Sequence, residues 1–160
     1  KHLPKELEVL KKMGCEIKTN NSSITINAKK KLKPVKITTG PWPSFSSDNM
    51  PILMAVLTTV DGKSEIKETI FSNRFMAAPE LVRMGASINI KGNIAIIIGQ
   101  KTLSAAECIS SDLRTTFSII LGAIVAKGKN VVSRVFHGDR GYYQLSNKLK
   151  QLGIKIKEVS

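Results

Sequence analysis

A chain of 160 residues, 42% of them hydrophobic, is long enough for one domain with a real core. With aromatics at 5%, that core must come from Ile, Leu, Val, Ala and Met. The net charge of +13 points to anionic partners, but no aromatics interleave with the basic residues and no zinc-finger, ribonucleoprotein or GXXG pattern occurs, so nucleic acid is disfavoured against a small anionic substrate or lysine bias on solvated faces.

The chain opens on "KHLPKELEVLKKMG", a charged amphipathic helix rather than a signal peptide, closed by Gly14. "EIKTNNSSITINA" follows as a strand pair, then the basic cluster "KKKLKP" at Lys29 to Pro34. "SSDNMPILMAVLTTVDG" predicts an apolar helix running from Asp48 towards Gly62. After a strand, a turn with Arg74 leads into a helix ending at Gly85, and "SINIKGNIAIIIG" reads as a hairpin turning at "KGN". "AAECIS" is apolar, so Cys108 reads as a small hydrophobe rather than a nucleophile. A second apolar helix begins at "SSDLR" and runs towards Gly128. "HGDRGY" is a turn carrying Arg140, and a last helix ends at Gly153 before a strand through Ile156. Cys15 and Cys108 form neither a metal spacing nor a disulfide framework, and no apolar run reaches the length of a membrane span, so a cytoplasmic protein without a membrane partner is expected.

These features repeat. Gly14, Gly85 and Gly153 each close a helix and are followed three residues later by Ile17, Ile88 and Ile156. Asp48 and Asp112 each follow two serines, and Arg74 and Arg140 each lie twelve residues after Gly62 and Gly128. The repeat is too long for a solenoid unit and suits a small α/β module. Residues 1–28 read as the tail of one module, 35–99 as a second and 104–160 as a third. With no initiator methionine and a start in mid-module, a fragment of something longer is expected.

Chemistry concentrates at the helix starts. Asp48 and Asp112 sit at N-cap or first-turn positions, where capping alone accounts for an aspartate. Both helices are so apolar that their N-termini should face the interior or a cleft. Arg114 opposes the helix dipole and needs a partner, a carboxylate or a phosphate. Arg74 and Arg140 precede helices and read either as surface residues bonded to a carbonyl or as part of an anion site. Asp139 is a candidate ion-pair partner of Arg140 or the next helix cap. His137 has no second histidine with which to hold a metal.

"GPWPSFSSDNM", "ETIFSNRFMAAPELVRMGA", "LSAAECISSDLRTTFSIILGAIVAKG" and "RVFHGDRGYYQLSNKLKQLGIKI" together resemble the C-terminal part of the enolpyruvyl transferases acting on UDP-N-acetylglucosamine, from about Lys5 to the end. The resemblance implies an inside-out α/β barrel of repeated βαβαββ modules, with about two and a half present here. It implies transfer of the enolpyruvyl group of phosphoenolpyruvate to the 3′-hydroxyl of UDP-N-acetylglucosamine with release of phosphate, at the start of peptidoglycan synthesis. No metal or organic cofactor is implied. By the same resemblance, Asp48 contacts the sugar hydroxyl as general base, and Ile70 touches the UDP-sugar through its backbone. Arg114 and Arg140 hold phosphoenolpyruvate, Asp112 lies beside the reacting centre, and Arg74 positions Asp48.

Two departures stand out: "SSD" replaces the usual Pro-Thr-Asp, and Gly138 replaces a larger apolar residue, which should loosen the Arg140 turn. The partner implied is the family's other domain, which brings a loop with a reactive cysteine or aspartate; without it the chain should not catalyse alone. The alternative is a non-catalytic basic module that binds a nucleotide-sugar or a polyanion.

Overall fold

The computed structural model describes residues 3–159. Helix α1 (Pro4–Lys12) starts on a proline, carries Glu6 in its first turn and Lys11 and Lys12 in its last, and buries Val9. That charge order suits the helix dipole. Strands β1 (Glu16–Thr19) and β2 (Ile24–Asn27) form an antiparallel hairpin. Next come β3 (Lys36–Thr38), α2 (Met50–Leu57) and β4 (Lys63–Lys67). A 3-10 turn over Arg74–Met76 runs into α3 (Ala77–Arg83), and β5 (Ser87–Lys91) and β6 (Ile94–Ile98) form the hairpin expected around "KGN".

The four strands β3, β4, β6 and β5 make one sheet in that order, with β3 parallel to β4 and the other two pairings antiparallel. Alternation fixes which face turns inward: Ser64 and Ile66 of β4 and Ala95 and Ile97 of β6 are buried. The last stretch holds β7 (Leu103–Ser104), β8 (Glu107–Ile109), α4 (Leu113–Val125), β9 (Ala126–Lys127), β10 (Val131–Ser133) and α5 (Leu145–Gln151). β7 pairs with β9 and β8 with β10, both parallel.

The apolar helices α2 and α4 occupy the interior, and α2 also meets β4 and β6 of the sheet. α2 buries six of its eight residues, and α4 packs along it while also meeting α3. Met54 and Leu57 of α2, Leu81 of α3 and Ile119 of α4 share one core with Ile66 and Ile97 of the sheet. Four methionines, Met13, Met50, Met54 and Met84, are fully buried, while Phe45 and Phe75 are the aromatic members of that core. Flexible thioethers fill space that a chain poor in aromatics leaves open. Among the described residues no helix is long and apolar enough to cross a membrane.

The repeat is visible in the backbone. Gly14, Gly85 and Gly153 have φ of 99°, 88° and 84°, and Gly62 and Gly128 have φ of 106° and 104°. The copies diverge where pairing fails. Ile17 and Ile88 lie in strands, but among the described residues no strand forms around Ile156 and none pairs with residues 154–159. Gly62 does not end α2; it follows a turn after that helix and leads into β4, and Gly128 lies beyond β9.

Candidate active site

Only one of the two "SSD" aspartates caps its helix. Asp112 is the N-cap of α4, and its Oδ1 accepts from the backbone N–H groups of Arg114 (2.8 Å) and Thr115 (3.3 Å). Its Oδ2 accepts from the Thr115 hydroxyl at 2.6 Å. Burial alone would push this carboxyl up; the hydrogen bonds from Thr115 and the Arg114 N–H outweigh it and hold the group below the usual aspartate range.

Asp48 does not cap α2, which corrects the expectation from sequence. The helix begins after Asn49, which makes no side-chain cap either, and Asp48 lies in the preceding turn. Two guanidinium groups draw its carboxylate away. Oδ1 accepts from Arg114 Nε at 2.6 Å and lies 3.4 Å from Arg74 Nη2. Arg114 first, and Arg74 more weakly, hold the Asp48 carboxyl below its ordinary range against a modest opposing effect of burial. The arginine that opposed the dipole thus has a carboxylate partner, 66 residues away in the sequence.

The Asp48 side chain is 58% exposed, and no hydrogen bond among the described residues reaches its Oδ2. None uses the Nη groups of Arg114 either. A cleft of about 200 Å³ opens beside the pair, lined by Pro51, Asn73, Arg74, Met76, Asp112, Arg114 and Thr115. The N-termini of both apolar helices therefore face a cleft. Asp48 is not itself among the lining residues; its free oxygen, able to take a proton, lies beside the two lining arginines, Arg74 and Arg114, whose guanidinium groups are able to hold an anion.

Behind this edge lies a residue that the sequence reading missed. Glu68, buried just past β4, accepts from Ser47 Oγ at 2.8 Å through Oε2. Its Oε1 accepts from the N–H groups of Ile70 (2.7 Å) and Phe71 (3.1 Å). Ser47 Oγ in turn accepts from Arg74 Nε at 3.1 Å, and the guanidinium lies 4.2 Å over the Phe71 ring. From the other side, Glu6 of α1 accepts from Ser46 N (3.2 Å) and Asn49 Nδ2 (3.1 Å), which pins the turn around Asp48. In sequence Glu68 is one charge in a run of alternating charges, and no local pattern marks it as buried.

Ile70 is exposed on the strap held by Glu68. Arg140 is not among the residues lining the cleft, is exposed, and makes no side-chain hydrogen bond or ion pair among the described residues. Its turn, however, is seated on the first turns of α4. Gly138 is buried so close to Thr116 that a Cβ would fall 2.9 Å from the threonine methyl, and one on Gly141 would fall 2.8 Å from Leu113. Tyr142 stacks on Phe117 at 4.6 Å. Gly138 thus permits close packing rather than loosening the turn. Asp139 neither pairs with Arg140 nor caps α5, whose N-cap is Gln144. His137 packs against the Phe136 ring. Cys108 is buried, and burial first, then the nearby Glu80, pushes its thiol up to about 11, the behaviour of an inert core residue.

Buried apolar helices packed with a mixed sheet, with a carboxylate and arginines gathered near the helix N-termini, define an α/β fold with an anion-binding edge. Residues 3–149 match the family model of EPSP synthase (3-phosphoshikimate 1-carboxyvinyltransferase), and the chain belongs to this family of enolpyruvyl transferases. Its relatives include the UDP-N-acetylglucosamine 1-carboxyvinyltransferase of Pelagibacter ubique, 45% identical over 155 residues, which are 97% of this chain and 37% of that protein. The protein of the same name from Koribacter versatilis is 42% identical over 158 residues, covering 99% of this chain and 36% of the relative. The chain thus spans a little over a third of the length of the curated relatives it matches. Among solved structures, the enolpyruvyl transferase NikO from Streptomyces tendae superposes with a TM-score of 0.89 at 26% identity over 97% of this chain and 36% of the other. EPSP synthase from Acinetobacter baumannii shares the fold, with a TM-score of 0.67 at 19% identity over 96% of this chain and 36% of the other. The expected enolpyruvyl transferase fold is therefore the one found.

Proposed function

We propose that this chain supplies part of the active site of a UDP-N-acetylglucosamine enolpyruvyl transferase. The observation that carries the reading is Asp48, with one oxygen held by Arg114 and Arg74, the two arginines that line the cleft, and the other without a hydrogen bond among the described residues. The names of the relatives agree with it.

In this reading Asp48 Oδ2 takes the proton of the 3′-hydroxyl as that oxygen bonds to C2 of phosphoenolpyruvate and C3 takes up a proton; loss of a C3 proton with cleavage of the C2–O bond to phosphate then restores the double bond and releases phosphate. Arg114 offers its Nη groups to phosphoenolpyruvate, and Arg140 approaches the same anion from the turn seated on α4. Asp112 fixes the first turn of α4, hence the position of Arg114, beside the reacting centre. Arg74 orients Asp48, and the backbone at Ile70 meets the UDP-sugar. An anion at Arg114 offsets the positive charge that depresses the Asp48 carboxyl, so binding of phosphoenolpyruvate makes Asp48 a stronger base. Residues 1–28, 35–99 and 104–160 are assigned to three successive modules of the C-terminal domain. The remainder of the protein, including its other domain, completes the site, and the chain alone is inactive. The reaction belongs to the cytoplasm and to peptidoglycan synthesis, and through it to cell-wall biogenesis, cell shape and division.

The test is phosphate release by the complete protein. Release that requires both phosphoenolpyruvate and UDP-N-acetylglucosamine is expected. No release, together with binding to DNA that falls steeply with salt, would replace this reading by that of a non-catalytic basic module.

A further inference from the structure

We infer that Glu68 is a positioning residue that sets the Arg74 guanidinium against Asp48 through the Ser47 hydroxyl. The inference deepens the transferase reading above and rests on it for its kinetic consequences.

Glu68 is 2% exposed, and its backbone is locked as well: its N–H donates to Asn93 O at 2.8 Å, and its carbonyl accepts from Asn93 Nδ2 at 2.9 Å. A carboxylate at this place only accepts, so it fixes the direction of every bond around it. The Ser47 hydroxyl has one proton and gives it to Glu68 Oε2. A lone pair of Ser47 is thereby turned to the Nε–H of Arg74. With Nε held, Nη2 is aimed at Asp48 Oδ1, 3.4 Å away. The second carboxylate oxygen gathers the N–H groups of Ile70 and Phe71 and shapes the strap that leads to Arg74. One buried group thus sets both a side chain and a backbone segment at the rim of the cleft.

The two branches can be cut separately. Ser47→Ala removes the link to Arg74 and leaves the strap bonds intact, whereas Glu68→Ala removes both. In the complete protein, Ser47→Ala should lower kcat roughly 10- to 100-fold, the scale of a misplaced reacting group, with KM for UDP-N-acetylglucosamine nearly unchanged. Glu68→Ala should in addition raise that KM, and Ser47→Thr, which restores the hydroxyl, should recover kcat. Wild-type kcat in Ser47→Ala, or a loss that Ser47→Thr does not recover, would overturn the inference. An NMR readout of the Arg74 Nε–H stands apart from activity. Slow exchange in wild type and Ser47→Thr with fast exchange in Ser47→Ala supports the inference; equal exchange in all three overturns it. If the wild-type protein transferred no enolpyruvate, the transferase reading would fall, and the Arg74 resonance would still decide whether Glu68 and Ser47 hold this guanidinium.

Discussion

Arg114 Nε donates to Asp48 Oδ1 at 2.6 Å and joins the starts of two helices that occupy the same place in successive repeats. The repeat equates Arg114 with Met50, a fully buried apolar residue, so the arginine is an addition to a shared scaffold. What it adds is a bond between the start of α4 and the turn before α2, beside the cleft.

Replacing Asp48 by Asn keeps the shape and removes the proton acceptor proposed for the acceptor hydroxyl. Turnover of the complete protein should fall by about 100-fold or more, within the range of general-base catalysis. Unfolding free energy should change by less than about 1 kcal/mol, because the ion pair is half exposed. Steady-state kinetics and a urea titration check both halves, and near-normal turnover would remove Asp48 from the role assigned to it.

The guanidinium of Arg114 holds the Asp48 carboxyl low, so the sign of the pH effect is fixed. A carboxyl depressed on folding adds stability that is present above the unfolded value of about 3.9 and is lost as pH falls through the folded value. A carboxyl 13C titration should place the Asp48 midpoint below that of a free aspartate. In Arg114→Gln the midpoint should move up, and an unmoved midpoint would contradict the pairing.

Asp112 has a different task from Asp48, and its loss should show in stability. Asp112→Ala removes the acceptor for two backbone N–H groups and for the Thr115 hydroxyl. A cost of about 1–2 kcal/mol in urea unfolding is expected, with Asp112→Asn recovering most of it.

Much of this arrangement was legible in the sequence, and the exceptions share a cause. Apolar periodicity and helix-closing glycines depend on neighbours a few residues away, so α2, α4 and the β5–β6 hairpin could be read directly. That Arg114 needs an anionic partner also followed from its place in the first turn. Which partner it finds did not, because Asp48 reaches it only through packing of α2 on α4. The same holds for Glu68, whose burial depends on the loop before α2 and on Asn93. Asp48 looked like a cap because it shares a serine pair with Asp112, but two guanidinium groups outcompete the helix N-terminus for its carboxylate. The effect of Gly138 was misread because its neighbour Thr116 lies on another element.

Close approach elsewhere gives a stability test far from the cleft. A Cβ on Gly99 would lie 1.8 Å from the Val60 carbonyl oxygen, and the backbone there is tied down by Gly99 N to Gly62 O at 3.0 Å. Gly99→Ala should cost about 2–3 kcal/mol, since backbone must shift. Gly92→Ala meets nothing within 4 Å and should cost only about 1 kcal/mol for its left-handed φ of 58°. Thermal unfolding of the two variants side by side separates overlap from backbone strain.

In the proposed function Asp48 faces the acceptor hydroxyl while Arg114 faces the anion. A crystal structure of the complete protein with UDP-N-acetylglucosamine and phosphoenolpyruvate tests it most directly. Asp48 Oδ2 is expected within hydrogen-bond distance of the 3′-oxygen, and an Nη of Arg114 on an oxygen of phosphoenolpyruvate. A sugar whose 3′-oxygen lies out of reach of Asp48, with Arg114 bonded to Asp48 alone, would contradict it.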